Sequence, residues 1–256
     1  MKASKIFLID LVTLMPEMFG ALTKFGVVGR GFKERFVDIN FINPRNFATD
    51  THKTIDDRAY GGGPGMVMMA DPLIKSIESA RAKEKSLGIK RRKVIHLTPK
   101  GSRLKHEKVK ELSNEEGLIL IASRYEGVDE RLNKWIDEEI SIGDFVTSGG
   151  EFPAMLLIDA LVLEIPGVLN DIESVNQDSF VNGLLDHPSF TRPESVRGLK
   201  VPDILLSGDH EKIRVWRLKE SLKETKLKRP DLLINKSLTK EESRLLKEIE
   251  QEQEQG

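Results

Sequence analysis

The chain has 256 residues, and its 40 Lys and Arg against 41 Asp and Glu give a net charge of -1. This balance identifies no partner, so a nucleic-acid surface would require local segregation of charge. The absence of cysteine excludes disulfides, thiolate metal sites and cysteine nucleophiles, and the five histidines never pair at metal-ligand spacing, so we predict no protein metal site.

Apolar segments of strand length alternate along the chain with longer segments of helical period. This pattern is typical of an α/β fold with a mainly parallel sheet. Asp10 interrupts the N-terminal apolar segment, no signal-peptide cleavage site follows it, and no segment reaches the roughly 18 apolar residues of a membrane span. We therefore expect a cytoplasmic protein with no membrane partner. The predicted strands are residues 5–14, 37–42, 93–98, 118–123 and 139–144.

Two helices are predicted between and after these strands. The first runs from Asp71 as N-cap, through Pro72 at the first helical position, to Gly88 as C-cap. The second lies between Pro153 and Pro166 and is apolar nearly all round. Such a helix is expected to be buried or to pack against a partner, and a dimer interface is one explanation.

The pattern changes after residue 166. Residues 167–188 are polar and rich in Asn and Asp, as in a long linker or an active-site loop. An amphipathic helix follows, and a capping box of Thr239 and Glu242 opens the last helix. The predicted domains are thus a main domain at 1–166, a linker or active-site loop at 167–188 and a smaller α-helical domain at 189–256.

Glycine-rich segments occur twice, as "YGGGPGM" at 60–66 and "SIGDFVTSGGE" at 141–151. Neither has a phosphate-binding frame, and the only charges in the second are Asp144 and Glu151, which would repel an anion. A nucleoside without phosphate fits better, and S-adenosyl-methionine, an adenosine carrying a positive sulfonium, is such a ligand. Tight turns at strand ends are the alternative explanation.

Charge is segregated in the amphipathic helix despite the neutral total. Residues 210–229 contain eight Lys and Arg against three Glu. Val215, Leu218 and Leu222 form an apolar stripe on a helical wheel. A basic flank beside an aromatic ring is typical of a surface that binds phosphates and stacks a base, although a solvated charged face is the alternative. This flank consists of Lys212, Trp216, Lys219, Lys223 and Lys226.

Six motifs, in order along nearly the whole chain, give it a family resemblance. They are "LMPEMF" (14–19), "DDRAYGGGPGMVMM" (56–69), "SRYEGVDER" (123–131), "SIGDFVTSGGEFPAMLLID" (141–159), "DSFVNGLLDHPSFTRPE" (178–194) and "RVWRLKESL" (214–222). Together they resemble the bacterial tRNA (guanine-N1)-methyltransferases of the SPOUT superfamily.

The resemblance implies a fold, a reaction and a set of cofactor contacts. It implies a SPOUT-type, mainly parallel sheet with a deep trefoil knot, and a homodimer with its active site at the subunit interface. It also implies transfer of a methyl group from S-adenosyl-methionine to N1 of the guanosine just 3′ of the anticodon of tRNA. Implied cofactor contacts lie on three loops, at Leu97, Pro99, Ser123, Glu126, Ile142, Gly143, Asp144, Phe145, Val146, Thr147, Gly149 and Gly150.

Methylation at N1 of guanine requires removal of the N1 proton, which a carboxylate can accept. The polar loop offers Asp171, Asp178 and Asp186. The match to the family's "DSF" motif implies Asp178 as the general base, with Asp186 and Arg192 as supports near the RNA. Without that match, solvated aspartates that cap turns would be the expected interpretation.

The chain departs from the family pattern at three positions. Ser123 replaces a common Gly, Lys100 replaces a usual Gln, and Leu163 stands where members carry an arginine that assists catalysis from the partner subunit. Leucine cannot carry that charge, so another cation such as Arg124 or Arg192 takes over, or activity is lower. A non-catalytic RNA-binding protein is therefore the alternative function. A nucleotide-phosphate enzyme is disfavoured, and a SPOUT enzyme that acts on another RNA base is a further alternative. The resemblance implies no protein partner beyond the second subunit. Whether Mg²⁺ assists the reaction stays open at this point.

Overall fold

The computed structural model describes residues 6–169, 178–234 and 236–255. The chain divides into two compact units, residues 1–170 and residues 171–256. Within the described residues, no helix combines the length and the apolar character that crossing a bilayer requires. The division into 1–166, 167–188 and 189–256 stays a prediction.

The first unit contains a five-stranded sheet in which every neighbouring pair of strands is parallel. Its strands are β1 (Phe7–Val12), β2 (Val37–Ile42), β5 (Lys93–Arg103), β6 (Gly117–Ile121) and β7 (Glu138–Ser141), in the order β2-β1-β6-β5-β7. The predicted strands and the α/β class with a parallel sheet are thus confirmed. Two short strands, β3 (Asp56–Asp57) and β4 (Val67–Met68), pair separately.

Helices cover both faces of this sheet, and β6 shows why its sequence is apolar at successive positions. Leu118 and Leu120 pack into the core on one face, whereas Ile119 and Ile121 pack into the core on the other. Because successive side chains of a strand point to opposite faces, a central strand between two cores is apolar at every residue. The helices are α1 (Gly20–Lys24), α2 (Gly26–Lys33), α3 (Ala70–Leu87), α4 (His106–Ser113) and α5 (Glu151–Glu164).

Both predicted helices of the first unit are present, and both begin earlier than predicted, α5 at Glu151 instead of at Pro153. Helix α3 begins at Ala70, so Asp71 lies inside the first turn and forms an ion pair with Lys75 instead of standing outside the helix as its cap. Gly88 follows the helix with φ +65°, as expected of a C-terminal glycine. Helix α5 is largely buried, but Phe152 and Leu156 are exposed.

The second unit is built mainly from helices. These are α6 (Asp203–Leu206), α7 (His210–Lys228), α8 (Asp231–Ile234) and α9 (Lys240–Gln255), with a hairpin of β8 (Ser195–Val196) and β9 (Leu199–Lys200) before them. The predicted apolar stripe of α7 packs in a core with Leu245 and Ile249 of α9. The predicted capping box is also confirmed, because the Thr239 hydroxyl accepts from the Glu242 amide and the Glu242 carboxylate accepts from the Thr239 amide.

Candidate active site

A cavity of about 250 Å³ lies at the carboxyl ends of β5, β6 and β7. Ligand sites of parallel α/β sheets form at this edge, where successive strands release their loops. The β5–β7 ladder shifts register between Leu97 and Ser102, so the intervening residues of β5 are not in register with β7, and several of them form one wall of the cavity. The loops after β6 and β7 form the other walls.

The structure brings together all the predicted cofactor residues except Asp144 at this cavity. Asp144 is exposed and its carboxylate accepts from Arg103. Lys100, which the sequence identified only as a departure, does line the cavity. Seven further residues line the cavity: four lie within the predicted loops 97–101 and 123–127, and Ile140, Ser141 and Pro153 lie near the third loop in β7 and α5. They are Thr98, Lys100, Tyr125, Gly127, Ile140, Ser141 and Pro153.

The glycine-rich segment after β7 is held by its own backbone and hydroxyl groups. The Ser141 hydroxyl donates to the Gly143 carbonyl, and the Thr147 hydroxyl donates to the Gly149 carbonyl. The Gly150 amide donates to the Ser123 carbonyl at 2.7 Å, which joins this segment to the loop after β6. These bonds fix the backbone of this cavity wall.

The carboxylate of Glu151 is buried beneath this wall. It accepts from the Thr13 hydroxyl at 3.1 Å, and its other oxygen lies 3.0 Å from Nε of Arg124. Arg124 also donates from Nη1 to the Ser148 carbonyl. Because Arg124 and Arg103 offset Glu151 and Asp144, the repulsion of anions expected from those two carboxylates is reduced. Within the described residues, Arg124 is thus already engaged with the Glu151 carboxylate and the Ser148 carbonyl.

The other glycine-rich segment supports the Glu126 side of the cavity. The Glu126 amide donates to the Met66 carbonyl at 2.9 Å, and Met68 forms a parallel bridge with Val128. Gly65 has φ +79°, and a Cβ there would lie 2.4 Å from Cγ of Glu126. This position therefore needs glycine for both its backbone conformation and its close approach to Glu126. One glycine-rich segment thus lines the cavity, and the other supports a residue that lines it.

The predicted catalytic carboxylate belongs to the second unit. Asp178 is exposed, and its carboxylate accepts from the Ser179 amide at 2.7 Å. Asp186 lies nearby in the chain, with its amide donating to the Ser179 hydroxyl. Asp171 lies outside the described residues. Both described aspartates make turn contacts that leave carboxylate oxygens with further acceptor capacity.

A second cavity, of about 1000 Å³ and within the second unit, places aromatic and basic side chains together. The ring centroids of His187 and Phe190 lie 6.5 Å and 6.3 Å from that of Trp216. Arg192 and Arg217 also line this cavity. Sequence reasoning selected Trp216 and Arg192 but did not select the other three.

The predicted lysines of α7 face acidic partners. Lys219 pairs with Glu252 at 2.6 Å, and Lys226 pairs with Glu250 at 3.1 Å, both on α9. Lys223 lies 2.9 Å from Glu220, and Lys212 lies 3.0 Å from Asp209 at the start of α7. These carboxylates offset part of the lysines' positive charge in this structure, which weakens their attraction for a phosphate.

Leu163 lines an apolar surface cavity of about 400 Å³ between α5 and the α1–α2 region. Leu22, Phe25 and Met155 share this cavity. The surroundings of Leu163 are thus mainly apolar, and Asp159 is the charged residue among those that line the cavity. Among the described residues, no group of three or more acidic or histidine side chains converges as metal ligands would.

Comparison with known proteins identifies the family. The family model described as tRNA (Guanine-1)-methyltransferase TrmD matches residues 7–235. A protein of Methylobacillus flagellatus named tRNA (guanine-N(1)-)-methyltransferase is 58% identical over 245 residues, 95% of this chain and 93% of its own. Proteins of the same name from Chromobacterium violaceum and Dechloromonas aromatica are 54% and 52% identical, each over 96% of this chain and over 96% and 98% of their own. The chain belongs to the tRNA (guanine-N1)-methyltransferase family.

Proposed function

We propose that this protein transfers a methyl group from S-adenosyl-methionine to N1 of the guanosine just 3′ of the anticodon of tRNA. The observation that carries the proposal is the cavity at the carboxyl ends of β5, β6 and β7, whose walls are the three loops that the family resemblance implies for the cofactor. A parallel α/β sheet with a ligand at this edge is the expected arrangement for such a nucleoside cofactor.

The residues around the cavity fit S-adenosyl-methionine. Backbone groups of the segment from Ile142 to Gly150 offer donors and acceptors to an adenine edge, and Pro153 and Leu97 add apolar surface. Glu126 supplies a carboxylate for a hydroxyl or cationic group, while Lys100 stands at the same cavity for the cofactor's own carboxylate. When bound, the cofactor supplies an electrophilic methyl group on a sulfonium.

Asp178 is the proposed general base. The N1 nitrogen of neutral guanine carries a proton, and attack on the methyl group requires its removal. A carboxylate suits this task because one oxygen can accept from N1–H while the other accepts from the neighbouring amine. The exposure of Asp178 leaves it accessible to an incoming base, which must be unstacked to reach it.

The second unit is the proposed helical tRNA-binding domain. Trp216 and the residues around it combine rings that stack on bases with guanidinium groups that bind phosphates. Asp186, Arg192, Lys212, Lys219, Lys223 and Lys226 remain proposed RNA contacts. Carboxylate partners offset part of the charge of the lysines on α7, so Arg192 and Arg217 carry more of the proposed binding.

The SPOUT trefoil knot and the homodimer are proposed with the function. The knot is proposed on the family resemblance; in the region concerned Gly101 packs closely on β7, where a Cβ would lie 2.4 Å from the backbone carbon of Glu139. The dimer, with the active site at its interface, is supported by the exposed Phe152 and Leu156 on α5. A cytoplasmic location is proposed together with the tRNA substrate.

The deciding experiment is transfer of labelled methyl from S-adenosyl-methionine to a tRNA with guanosine 3′ of the anticodon. We expect label at guanine N1, and we expect Asp178→Ala to lower the rate by about 10² to 10⁴-fold with cofactor binding retained. Asp203→Ala, which removes another exposed aspartate of the second unit, should keep the wild-type rate. Cofactor binding by wild type without methyl transfer would favour the non-catalytic RNA-binding function and make Leu163 its explanation.

A further inference from the structure

Three polar side chains form a line across neighbouring strands and end at the cofactor cavity. Nδ1 of His96 on β5 lies 3.1 Å from a carboxylate oxygen of Glu139 on β7. Its Nε2 lies 2.9 Å from the hydroxyl oxygen of Ser123, which follows β6. His96 is only 3% exposed, whereas Ser123 lines the cavity. The buried ring therefore connects a partly exposed carboxylate to a hydroxyl at the ligand site.

The donor and acceptor chemistry of these groups assigns the protons. An ionised carboxylate can only accept, so the proton of the neutral imidazole belongs on Nδ1, where it is donated to Glu139. Nε2 then has a lone pair, and the Ser123 hydroxyl donates to it. With its one proton used in this way, the Ser123 hydroxyl can offer only lone pairs to a ligand in the cavity that this residue lines.

The surroundings of the ring favour this neutral form. Burial lowers the pKa of His96, and the nearby charge of Lys100 acts in the same direction. The hydrogen bond and negative charge of Glu139 oppose this change without reversing it. The charged groups that face the ring are thus Glu139 on β7 and Lys100 on β5.

We propose that Ser123 is a specificity-determining contact of the cofactor cavity, held by His96 and Glu139 so that its oxygen accepts a hydrogen bond from the ligand. The inference rests on the proposed function, because it requires the cavity to bind the cofactor. S-adenosyl-methionine offers donors of this kind in its adenine amine, ribose hydroxyls and ammonium group. A carbonyl or phosphate oxygen at the same point would meet lone pairs and be rejected.

Protonation of the ring weakens the contact. A doubly protonated imidazole donates from Nε2 to Ser123, which uses one of the two lone pairs of the hydroxyl oxygen. The ligand donor is then left with a single lone pair, and the released hydroxyl proton competes with it for the cavity side. Cofactor binding and protonation of His96 therefore oppose one another, and by linkage the bound cofactor must lower the pKa of His96.

The test is nitrogen NMR of the full-length protein with labelled histidine, titrated with and without saturating S-adenosyl-methionine. In the free protein we expect His96 as the Nδ1–H tautomer. We expect cofactor affinity to fall about tenfold on protonation of His96, which corresponds to a decrease of about one unit in its pKa on binding. The signals of exposed His52 serve as an internal reference.

Two serine variants separate the contact from general structural effects. Ser123→Ala removes the hydroxyl, and its backbone lies outside the left-handed region, so the fold should be retained. It should weaken cofactor binding about tenfold and abolish the effect of cofactor on the His96 titration. Ser102→Ala is the matched control, because that hydroxyl bonds the backbone carbonyl of Glu139 and does not contact the ring.

Each outcome decides a different step. An Nε2–H tautomer would overturn the assigned polarity. If the tautomer is as expected but the pKa of His96 is the same with and without bound cofactor, the ligand contact alone is overturned. A wild-type protein that binds no S-adenosyl-methionine would instead overturn the proposed function, and this contact with it.

Discussion

Gly65 is held against Glu126 so closely that a single added carbon has a specific consequence. In Gly65→Ala the new Cβ would collide with Cγ of Glu126, 2.4 Å away, and displace its carboxylate from the cavity. We expect the dissociation constant for S-adenosyl-methionine to rise about tenfold, as for the loss of one hydrogen bond to a charged group. Calorimetric titration measures this change.

The same loop contains a matched control for that change. Gly61 has φ +85°, close to the +79° of Gly65, but a Cβ there meets nothing within 4 Å. Both alanine variants should lose about 1 kcal/mol of unfolding free energy from left-handed backbone strain. Equal loss of cofactor affinity in the two variants would show that loop strain, and not the contact with Glu126, is responsible.

The ion pair of Arg124 and Glu151 combines a stability role with a positioning role. In Arg124→Leu the carboxylate of Glu151, whose side chain is 1% exposed, loses its countercharge. We expect a decrease of about 3 kcal/mol in the free energy of unfolding by urea, because a buried charge is left uncompensated. We also expect weaker cofactor binding, because Arg124 holds the Ser148 carbonyl.

Arg131→Leu is the matched comparison for that prediction. Arg131 pairs with Asp129 on the surface, with its own side chain 77% exposed. Removing an exposed ion pair should change the unfolding free energy by less than about 1 kcal/mol. Similar losses in the two variants would contradict a special role for the buried pair.

At the scale of elements, the pairing of α7 with α9 determines which basic residues are available to RNA. Lys226 is paired with Glu250, whereas Arg217 is exposed and forms no ion pair within the described residues. We expect Arg217→Gln to reduce the salt dependence of tRNA binding by about one phosphate contact. Lys226→Gln should change it much less, since its charge is already offset.

Binding measurements at several salt concentrations test this difference. The two variants remove one positive charge each from the same helix, so their net charge is equal. A larger effect of Lys226→Gln would mean that tRNA displaces Glu250, and that the proposed contact belongs to the lysine flank.

The sequence predicted elements well where the signal was local, and less well where partners came from elsewhere in the chain. The strand at 37–42 and the capping box of Thr239 and Glu242 need only nearby residues, and both are confirmed. The glutamates of α9 opposite the lysines of α7 could not be predicted, because helical periodicity gives the face of each helix but not its partner.

The candidate site shows the same limit. Its loops follow strands, so their meeting at one edge could be predicted from a parallel sheet. Asp144 does not line the cavity and instead forms an ion pair with Arg103, which is far away in the sequence. The line from Glu139 through His96 to Ser123 depends on the strand order β6-β5-β7, which no single segment contains.

At the scale of the whole molecule, the proposed dimer gives the apolar character of α5 a function. Burial within one subunit explains most of this helix, but Phe152 is 51% exposed and Leu156 is 56% exposed. Single exposed apolar residues are common, so they acquire meaning only as parts of a continuous surface. Phe25 and Val27, at the start of α2, are also exposed, and Phe25 lines the cavity with Leu163.

Leu156→Glu tests whether this surface is covered by a second copy. A charge placed in an apolar interface cannot be solvated there, so we expect the variant to sediment as a monomer at concentrations where wild type is a dimer. Methyl transfer should be lost with the dimer if the active site lies at the interface.

Leu87→Glu is the control for this variant. It changes a leucine of equal exposure, 56%, at the end of α3, and should leave sedimentation and activity unaltered. A wild-type monomer with full activity would contradict the interface, whereas a dimeric but inactive Leu156→Glu would mean that α5 acts on the cofactor loop from within its own subunit.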